Sequence, residues 1–116
     1  MGQILVRMAA DQFDVFEPVN NLFYSIIIMN KLLAEFLGTL VFFYIALIAQ
    51  SPIPIGIALI IAIMVFGPIS GANFNPAFTI MMVAKGAQPA SELMPYIVAQ
   101  IAGGLAALEL YKRVKI

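Results

Sequence analysis

The sequence predicts an all-α membrane protein with three transmembrane helices and one re-entrant half-helix. Hydrophobic residues make up 63% of the 116 residues, well above the roughly one half that is usual in soluble domains. They form three apolar stretches that approach spanning length, and a fourth stretch that is too short to cross a bilayer. The fourth stretch begins at Asn75-Pro76, which is typical of a capped helix start.

The composition excludes several classes of function. Six basic and six acidic residues cancel, so the chain has no basic face for nucleic acid. It contains neither cysteine nor histidine, which excludes disulfides, thiolate or imidazole metal sites, and Cys-His or Ser-His catalysis. We therefore expect no enzymatic activity, no bound metal and no cofactor.

The chain divides into an N-terminal extension, residues 1–28, and a membrane domain, residues 29–116. The first 21 residues mix apolar and acidic side chains, which fits either an interfacial helix or a disordered extension. No signal-peptide pattern is evident. Met29 stands just before the membrane domain and is an alternative translation start.

The first span is predicted at about residues 32–49, with Lys31 at the membrane boundary. Residues 22–29 either extend this helix or lie against it. Ala34 and Gly38 are four residues apart, a small-xxx-small pair that lets another helix approach closely.

The second span is predicted at residues 55–67, opened by Pro54 after a tight reversal at 50–52. This stretch is short. It reaches across only if its turn residues lie within the interface or the bilayer adapts.

The re-entrant element follows a turn-like segment that starts at Gly67. Its helix is predicted from Pro76 to about Ala84 and ends at Lys85-Gly86. Roughly 9 residues at a rise of 1.5 Å reach about 14 Å, half of a ~30 Å hydrocarbon core. Irregular backbone at that depth is tolerated only where protein covers it or where it lines a wet cavity. The segment therefore indicates a pore.

The last span is predicted from about Glu92 to Tyr111, with Ser91 as its N-cap and Pro95 in its first turn. Small residues give this helix a packing face: Gly103, Gly104, Ala106 and Ala107.

Three segments resemble the aquaporin and glycerol-facilitator family, in the order in which that family has them. Residues 70–79 (SGANFNPAFT) are similar to the family's first Asn-Pro-Ala loop. Residues 34–39 (AEFLGT) resemble its first helix, and residues 96–103 (YIVAQIAG) resemble its third. Three ordered motifs are far more specific than a lone Asn-Pro-Ala. Family members contain two such halves, and this chain has one.

The resemblance implies how a pore would be lined. Asn75 would cap the half-helix through its side-chain oxygen and donate its NH2 into the pore, with Pro76 and Ala77 completing the motif. Backbone carbonyls of the preceding loop would form an acceptor ladder: Gly71, Ala72 and Asn73. Glu35 would be buried and would hold N–H groups of the loop, and Gln100 would brace the same region.

Ordinary structural roles are the alternative for these residues. Asn75-Pro76 is also compatible with a simple helix start in a loop. Glu35 lies one turn from Lys31, so its carboxyl group could instead reach the interface by snorkelling. The same alternative is weaker for Gln100, which is predicted far from any water boundary.

Several positions depart from the family pattern. A wall position that is often aromatic in the family corresponds to Ile55, which predicts a wider and less polar constriction. Phe78 follows Ala77, and the chain has no second motif to supply the Arg that the family uses in its filter. Pro68 and Asn73 stand where many members have His. Cation rejection and the size cut-off are therefore expected to differ.

We expect an integral, multi-pass membrane protein that acts as a passive channel subunit for water or small neutral solutes such as glycerol. One repeat cannot enclose a pore, so a second, inverted half must complete it. That half would be either an antiparallel copy of the chain or a separate polypeptide. The alternative function is a non-conducting membrane interaction or regulatory subunit, or a truncated relic of a full-length channel. A proton-coupled exporter is a weaker hypothesis, because Glu35 is the only candidate proton carrier in a span.

The basic residues predict no preferred orientation. Three crossings and one re-entrant segment divide them equally between the two sides: Arg7, Lys31 and Lys85 on one, Lys112, Arg113 and Lys115 on the other. Orientation follows Lys/Arg asymmetry, which is absent here. Insertion in both orientations would supply an antiparallel homodimer as the pore unit.

Overall fold

The computed structural model describes residues 17–114, and every structural statement below refers to that part of the chain. It contains four α-helices: α1 (Glu17–Ala49), α2 (Pro52–Ser70), α3 (Pro76–Lys85) and α4 (Leu93–Arg113). A short 3-10 helix, Ala90–Glu92, leads directly into α4. Three helical segments are long and apolar enough to cross a membrane, and α3 is a shorter apolar helix. The predicted all-α membrane fold class is confirmed.

The first helix is the centre of the bundle, because α1 packs against both α2 and α4, and α3 packs against α4. The approach of α1 to α4 depends on Gly103. A Cβ at that position would lie 2.6 Å from the carbonyl oxygen of Phe36 and 3.0 Å from the Cβ of Thr39. Ala107 of α4 is also buried, whereas Gly104 has open space around it. Small residues therefore bring two spans close together.

Gly38 serves a different purpose from the predicted approach of another helix. A Cβ there would overlap the ring of Phe74, which comes from the loop between α2 and α3. Phe74 is almost fully buried and meets Phe66 edge-on, with ring centroids 6.3 Å apart. The loop descends into the bundle and fills the space that the sequence pattern assigned to a helix.

The first helix begins earlier than the predicted span, at Glu17, and residues 22–29 extend it without a break. It is therefore continuous across the predicted domain boundary at residue 29. Residues 1–16, with Arg7, and residues 115–116, with Lys115, lie outside the described residues. The predictions made for those segments stay predictions.

The second helix is longer than predicted, and the prediction that helical structure ends at Gly67 is wrong. The helix continues through Pro68 to Ser70. It ends at Gly71, whose φ of 88° is left-handed and whose N–H donates to the Gly67 carbonyl at 2.8 Å. A proline in the last turn disturbs few intrahelical bonds, so it does not end the helix. At 19 residues, α2 is about 28 Å long, close to the thickness of a hydrocarbon core.

The start of α4 also differs from its prediction. Ser91 lies inside the 3-10 helix and is not the N-cap. Glu92 occupies the cap position but makes no side-chain cap bond. Its carboxylate instead pairs with Lys31 of α1, with 3.0 Å between Nζ and Oε2. A tertiary ion pair has replaced the local cap.

Candidate functional site

The loop of residues 71–75 is attached to the bundle through Glu35, whose side chain is completely buried. Its Oε1 accepts hydrogen bonds from the Phe74 N–H and the Gln100 Nε2, both at 2.8 Å. Its Oε2 accepts from the Ser70 hydroxyl at 2.6 Å and from the Asn73 N–H at 3.1 Å. Hydrogen bonds to a charged group contribute about 1.5–3 kcal/mol each, which offsets the cost of burying a carboxylate. Glu35 therefore does not snorkel.

The loop backbone is held in an unusual conformation. Gly71, Ala72 and Phe74 all have positive φ, at 88°, 53° and 57°. The left-handed region costs a residue with a side chain roughly 1–2 kcal/mol. The hydrogen bonds that the N–H groups of Asn73 and Phe74 donate to Glu35 stabilise this backbone from one side.

These hydrogen bonds also fix the direction of three carbonyl groups. All peptide bonds here are trans, so each C=O points away from the N–H of the same peptide. The N–H groups of Ala72, Asn73 and Phe74 donate to Ser70 or Glu35. The carbonyls in the same peptides therefore point away from the Glu35 cluster: Gly71, Ala72 and Asn73. None of the three accepts a hydrogen bond from residues 17–114.

Asn75 begins the half-helix, and its geometry combines a cap with a free donor. Its Oδ1 accepts from the Ala77 N–H at 2.8 Å. Its carbonyl oxygen accepts from the N–H of Thr79 at 3.0 Å. The residue is exposed, and its NH2 group donates to no other described residue. The start of α3 thus presents an unpaired donor beside the three unpaired acceptors.

Thr79 is a second anchor, buried behind the loop. Its hydroxyl oxygen accepts from Gln100 Nε2 at 2.8 Å and from Asn73 Nδ2 at 3.1 Å. The same hydroxyl donates to the Asn75 carbonyl at 3.2 Å. Gln100 is 2% exposed and bridges Thr79 to Glu35. The side-chain amide of Gln100, in α4, therefore links to α1 through Glu35 and to α3 through Thr79.

A second chain of contacts runs from the loop to the edge of the bundle. The Asn73 side chain donates to Gln88 Oε1 at 2.8 Å, and Gln88 Nε2 donates to Glu92 Oε1 at 3.2 Å. Glu92 then pairs with Lys31, whose side chain is 30% exposed. The segment between α3 and α4 is thereby tied to the loop and to α1.

Two concave regions differ sharply in chemistry. The larger is a groove of about 530 Å³ between α1 and α2, lined by apolar side chains such as Val41, Ile57 and Val65. The smaller, about 260 Å³, adjoins the loop and is lined by polar groups that include Asn73, Gln88 and Glu92. The polar region reaches the loop at Gly71 and Asn73 but is not lined by Asn75, and the larger groove offers no polar group to bind a hydrophilic solute.

The structure brings together most of the residues singled out from sequence. Glu35 and Gln100 meet at the loop, and Asn75 and Ala77 are exposed where α3 starts, with Pro76 half-buried between them. The structure does not bring Ile55 to this group. It is half-buried in the first turn of α2, and fifteen residues of helix place it about 22 Å from Ser70.

Sequence reasoning gave no role to several residues of the network: Ser70, Thr79, Gln88 and Tyr96. It placed Glu92 only in the first turn of the last span. Tyr96 is buried, and its hydroxyl donates to the Ser70 carbonyl at 2.8 Å. Ser70 and Thr79 flank the Asn-Pro-Ala motif, so their proximity was a usable signal.

Comparison with known proteins gives a consistent result. The family model for major intrinsic proteins matches residues 23–115. A glycerol uptake facilitator protein of Streptococcus pneumoniae (strain ATCC BAA-255 / R6) is 36% identical over 94 residues, which cover 66% of this chain and 40% of the relative. An aquaporin Z of Photorhabdus laumondii is 37% identical over 99 residues, which cover 72% of this chain and 43% of the relative. The chain thus spans less than half the length of these relatives. No solved structure gave a significant match.

Proposed function

The chain belongs to the major intrinsic protein family, and from that membership we propose that its described helices form half of a passive channel for water or small neutral solutes such as glycerol. It is an integral, multi-pass membrane protein, with three segments able to cross a bilayer. The names of its relatives, glycerol uptake facilitator and aquaporin Z, support this range of solutes. A channel role also agrees with the expectation that the chain is not an enzyme.

One observation carries the proposal. Acceptor groups and a donor group that have no hydrogen-bond partner among residues 17–114 occur together at the loop. The carbonyls of Gly71, Ala72 and Asn73 point away from their anchors, and the NH2 of Asn75 is free. Polar backbone within a membrane is tolerated only where something satisfies it. Water and polyols both donate and accept hydrogen bonds, so a file of such molecules would satisfy both kinds of group.

The depth of the half-helix supports a pore at the centre of the membrane. Glu92 pairs with Lys31 at the bundle edge, and Gln100 lies eight residues further along, about 12 Å deeper. Thr79 contacts Gln100, and Pro76 is three residues nearer the start of α3. These steps place Pro76 about 16 Å from the bundle edge, close to the middle of a ~30 Å core.

The charge distribution favours neutral solutes. The loop and the start of α3 carry no charged side chain, and the buried Glu35 is covered by four donors. The N-terminal end of α3 bears the positive end of a helix dipole. That dipole and the Asn75 NH2 group disfavour a cation at mid-membrane.

The selectivity of the pore would depend on two apolar residues. Ile55 stands where the family often has an aromatic wall residue, and Phe78, 41% exposed at the start of α3, follows Ala77. An aliphatic wall and the lack of a charged filter group favour a wider, less polar constriction. Such a constriction would pass polyols as well as water.

A second, inverted half is needed to complete the wall of the pore, and we assign it to an antiparallel copy of the same chain. The start of α3 is exposed at Asn75, Ala77 and Phe78, where lipid would leave polar groups unsatisfied. An antiparallel copy would place an identical half-helix opposite this one, about a two-fold axis in the membrane plane. The basic residues within the described region are also balanced: Lys31 and Lys85 on one side, Lys112 and Arg113 on the other.

Osmotic shrinkage of proteoliposomes tests the proposal. Stopped-flow light scattering should show permeability above that of protein-free vesicles, with a low activation energy. Asn75→Ala should reduce this permeability, because it removes the free donor and a cap that contributes about 1 kcal/mol. Asn20→Ala, at an exposed position of α1 outside the network, is the matched control.

Two results would count against conduction. If folded protein leaves vesicle permeability unchanged, the chain is a non-conducting membrane subunit. If Asn75→Ala conducts as well as Asn20→Ala, Asn75 is an ordinary helix start and does not line a pore.

A further inference from the structure

The polar cavity beside the loop connects the loop with the edge of the bundle. It has a volume of about 260 Å³, and its lining runs from Lys31 and Glu92 to Gly71 and Asn73. The Lys31 side chain is 30% exposed, so this end of the cavity meets solvent. Tyr96, one turn of α4 beyond Glu92, also lines it. The cavity therefore extends about 6 Å along α4 into the bundle.

The end of α2 supplies two free acceptors at the wall of this cavity. The carbonyls of Pro68 and Ile69 accept no backbone hydrogen bond from residues 17–114. The N–H groups that would continue the helix onto them belong to Ala72 and Asn73, which donate to side chains of the network instead. The last carbonyls of a helix point beyond its C-terminal end, and Pro68 and Ile69 both line the cavity.

The side chain of Asn73 supplies a third acceptor. The residue is only 8% exposed. Both hydrogens of its NH2 group are donated, to Thr79 at 3.1 Å and to Gln88 at 2.8 Å, which fixes the plane of the amide. Its Oδ1 accepts from no residue in the range 17–114, and the protein does not seal that oxygen off. Asn73 therefore presents an oriented acceptor to the cavity that it lines.

Lys31 supplies donors at the outer end of the cavity. Its ammonium group has three hydrogens, and Nζ donates to Glu92 Oε2 at 3.0 Å. It makes no other hydrogen bond to a described residue. Among the described residues, Lys31 and Glu92 are the only charged ones that line the cavity, and their charges cancel. The cavity therefore favours a neutral ligand over an anion or a cation.

The size and the remaining walls of the cavity suit a short carbon chain. Cavities that hold drug-sized ligands measure about 300–1,000 Å³, so this cavity suits a smaller molecule. Apolar groups complete its lining: Met82, Ala87 and Pro89. Water matches only the polar groups of the lining, and an apolar solute matches only the apolar wall. A molecule that carries hydroxyl groups on a short carbon chain matches both.

We propose that this cavity binds a small polyol such as glycerol. Its hydroxyl groups would donate to Asn73 Oδ1 and to the carbonyls of Pro68 and Ile69, and would accept from the ammonium group of Lys31. A hydroxyl group both donates and accepts, so neighbouring hydroxyls serve the two kinds of group together. Gln88 contributes from outside the ligand, because its side chain holds the Asn73 amide in place.

The site lies at the entrance of the proposed pore. Gly71 and Asn73 line the cavity, and they are two of the three residues whose carbonyls form the acceptor ladder. A polyol that leaves the cavity toward the loop would meet those carbonyls next. This place on the route rests on the proposed function, whereas binding itself does not require conduction.

Protection of an introduced thiol tests the site, since the natural sequence contains no cysteine. Ala87→Cys places a thiol on the cavity wall, and Lys85→Cys places one at an exposed position outside the lining as the matched control. Glycerol should slow the labelling of Ala87→Cys by a charged methanethiosulfonate several-fold in detergent, and should not affect Lys85→Cys. 1-Propanol, which has the same carbon chain and one hydroxyl, should protect neither thiol.

Three outcomes of this experiment overturn the site. They are no protection of Ala87→Cys by glycerol, equal protection of Ala87→Cys and Lys85→Cys, and equal protection by glycerol and 1-propanol. Protection by potassium chloride in place of glycerol would also overturn it, because the occupant would then be a cation.

A second variant tests the contact with Lys31. In the Ala87→Cys background, Lys31→Met removes the ammonium donor and should abolish protection by glycerol. Lys112→Met, at a side chain 60% exposed near the end of α4, should leave protection unchanged. The labelling rate without glycerol and the melting temperature report whether each variant is folded. Full protection in folded Lys31→Met overturns the proposed site.

Reconstitution separates this proposal from the channel itself. Ala87→Cys labelled before reconstitution should lose glycerol permeability in proteoliposomes, and labelled Lys85→Cys should keep it. If the parent conducts and the label at Ala87→Cys does not reduce glycerol permeability, the cavity is not the entrance. If the parent does not conduct but glycerol still protects Ala87→Cys, the channel proposal fails and the polyol site stands.

Discussion

Glu35 accepts four hydrogen bonds from three different parts of the chain, and its two variants should separate charge from hydrogen bonding. Glu35→Gln keeps one acceptor oxygen but turns an NH2 group toward existing donors, so a moderate loss of stability is expected. Glu35→Leu leaves the buried N–H groups of Asn73 and Phe74 without a partner, at about 1–3 kcal/mol each, whereas Gln100 and Ser70 each keep a second acceptor. Thermal unfolding in detergent should therefore rank the parent above Gln and Gln above Leu.

Glu109→Leu is the control, because its side chain is 57% exposed near the end of α4. That variant should melt close to the parent. If Glu35→Leu melts with it, the carboxylate does not hold the loop.

Ile55 provides a residue-scale test of selectivity. Ile55→Trp adds bulk at the proposed constriction, so it should reduce glycerol permeability more than water permeability. Ile53→Trp, at a position 70% exposed in the same turn, should leave the ratio unchanged. An unaltered ratio in both variants would place Ile55 toward lipid.

At this scale the sequence was informative where a residue belonged to a recognisable motif. Glu35, Asn75 and Gln100 were identified from three short segments, and the structure brings Glu35 and Gln100 into contact at 2.8 Å. Gln88 was missed because its partners, Asn73 and Glu92, are selected by the tertiary fold. The pairing of Lys31 with Glu92 spans 61 positions, so no local pattern could reveal it.

At the scale of elements, we predict opposite effects on stability for alanine substitutions at two glycines. Gly38→Ala would place a Cβ into the Phe74 ring, and the loop must shift or the helix must move. We expect a loss of thermal stability together with lower permeability. Gly104→Ala meets nothing within 4 Å and should be neutral or stabilising by up to about 1 kcal/mol, the helix-propensity gain. Equal behaviour of the two variants would show that Phe74 does not occupy the groove beside Gly38.

Element boundaries were predictable where the signal is local. The half-helix was expected from Pro76 to about Ala84, and the structure ends it at Lys85 because Gly86 provides a left-handed C-cap. The end of α2 was misplaced because a turn-like segment was predicted to start at Gly67, whereas the helix continues through Pro68 to Ser70, since a proline in the last turn is permitted. The prediction that Ser91 caps α4 was wrong for a different reason. The carboxylate of the neighbouring Glu92 forms an ion pair with Lys31, which is distant in sequence.

At the scale of the whole molecule, the balance of basic residues predicts insertion in both orientations. A C-terminal tag in sealed vesicles should therefore be labelled on both faces. Replacing Lys112 and Arg113 by Gln leaves Lys31 and Lys85 on the more basic side, which stays in the cytoplasm. Labelling of the C-terminal tag should therefore shift to the face opposite the cytoplasm. Labelling of the parent on a single face would refute dual insertion and favour a pore half supplied by another polypeptide segment.

The buried carboxylate also sets an order of events during biosynthesis. Its partners at Ser70, Asn73, Phe74 and Gln100 follow it by 35, 38, 39 and 65 positions. At a synthesis rate of about 5–20 residues per second, the last partner emerges roughly 3–13 s after Glu35. Throughout that interval the nascent first helix carries an acidic group that lipid solvates poorly. The ribosome therefore delivers a helix that cannot settle in the bilayer alone, and its integration should be completed only when the fourth helix arrives.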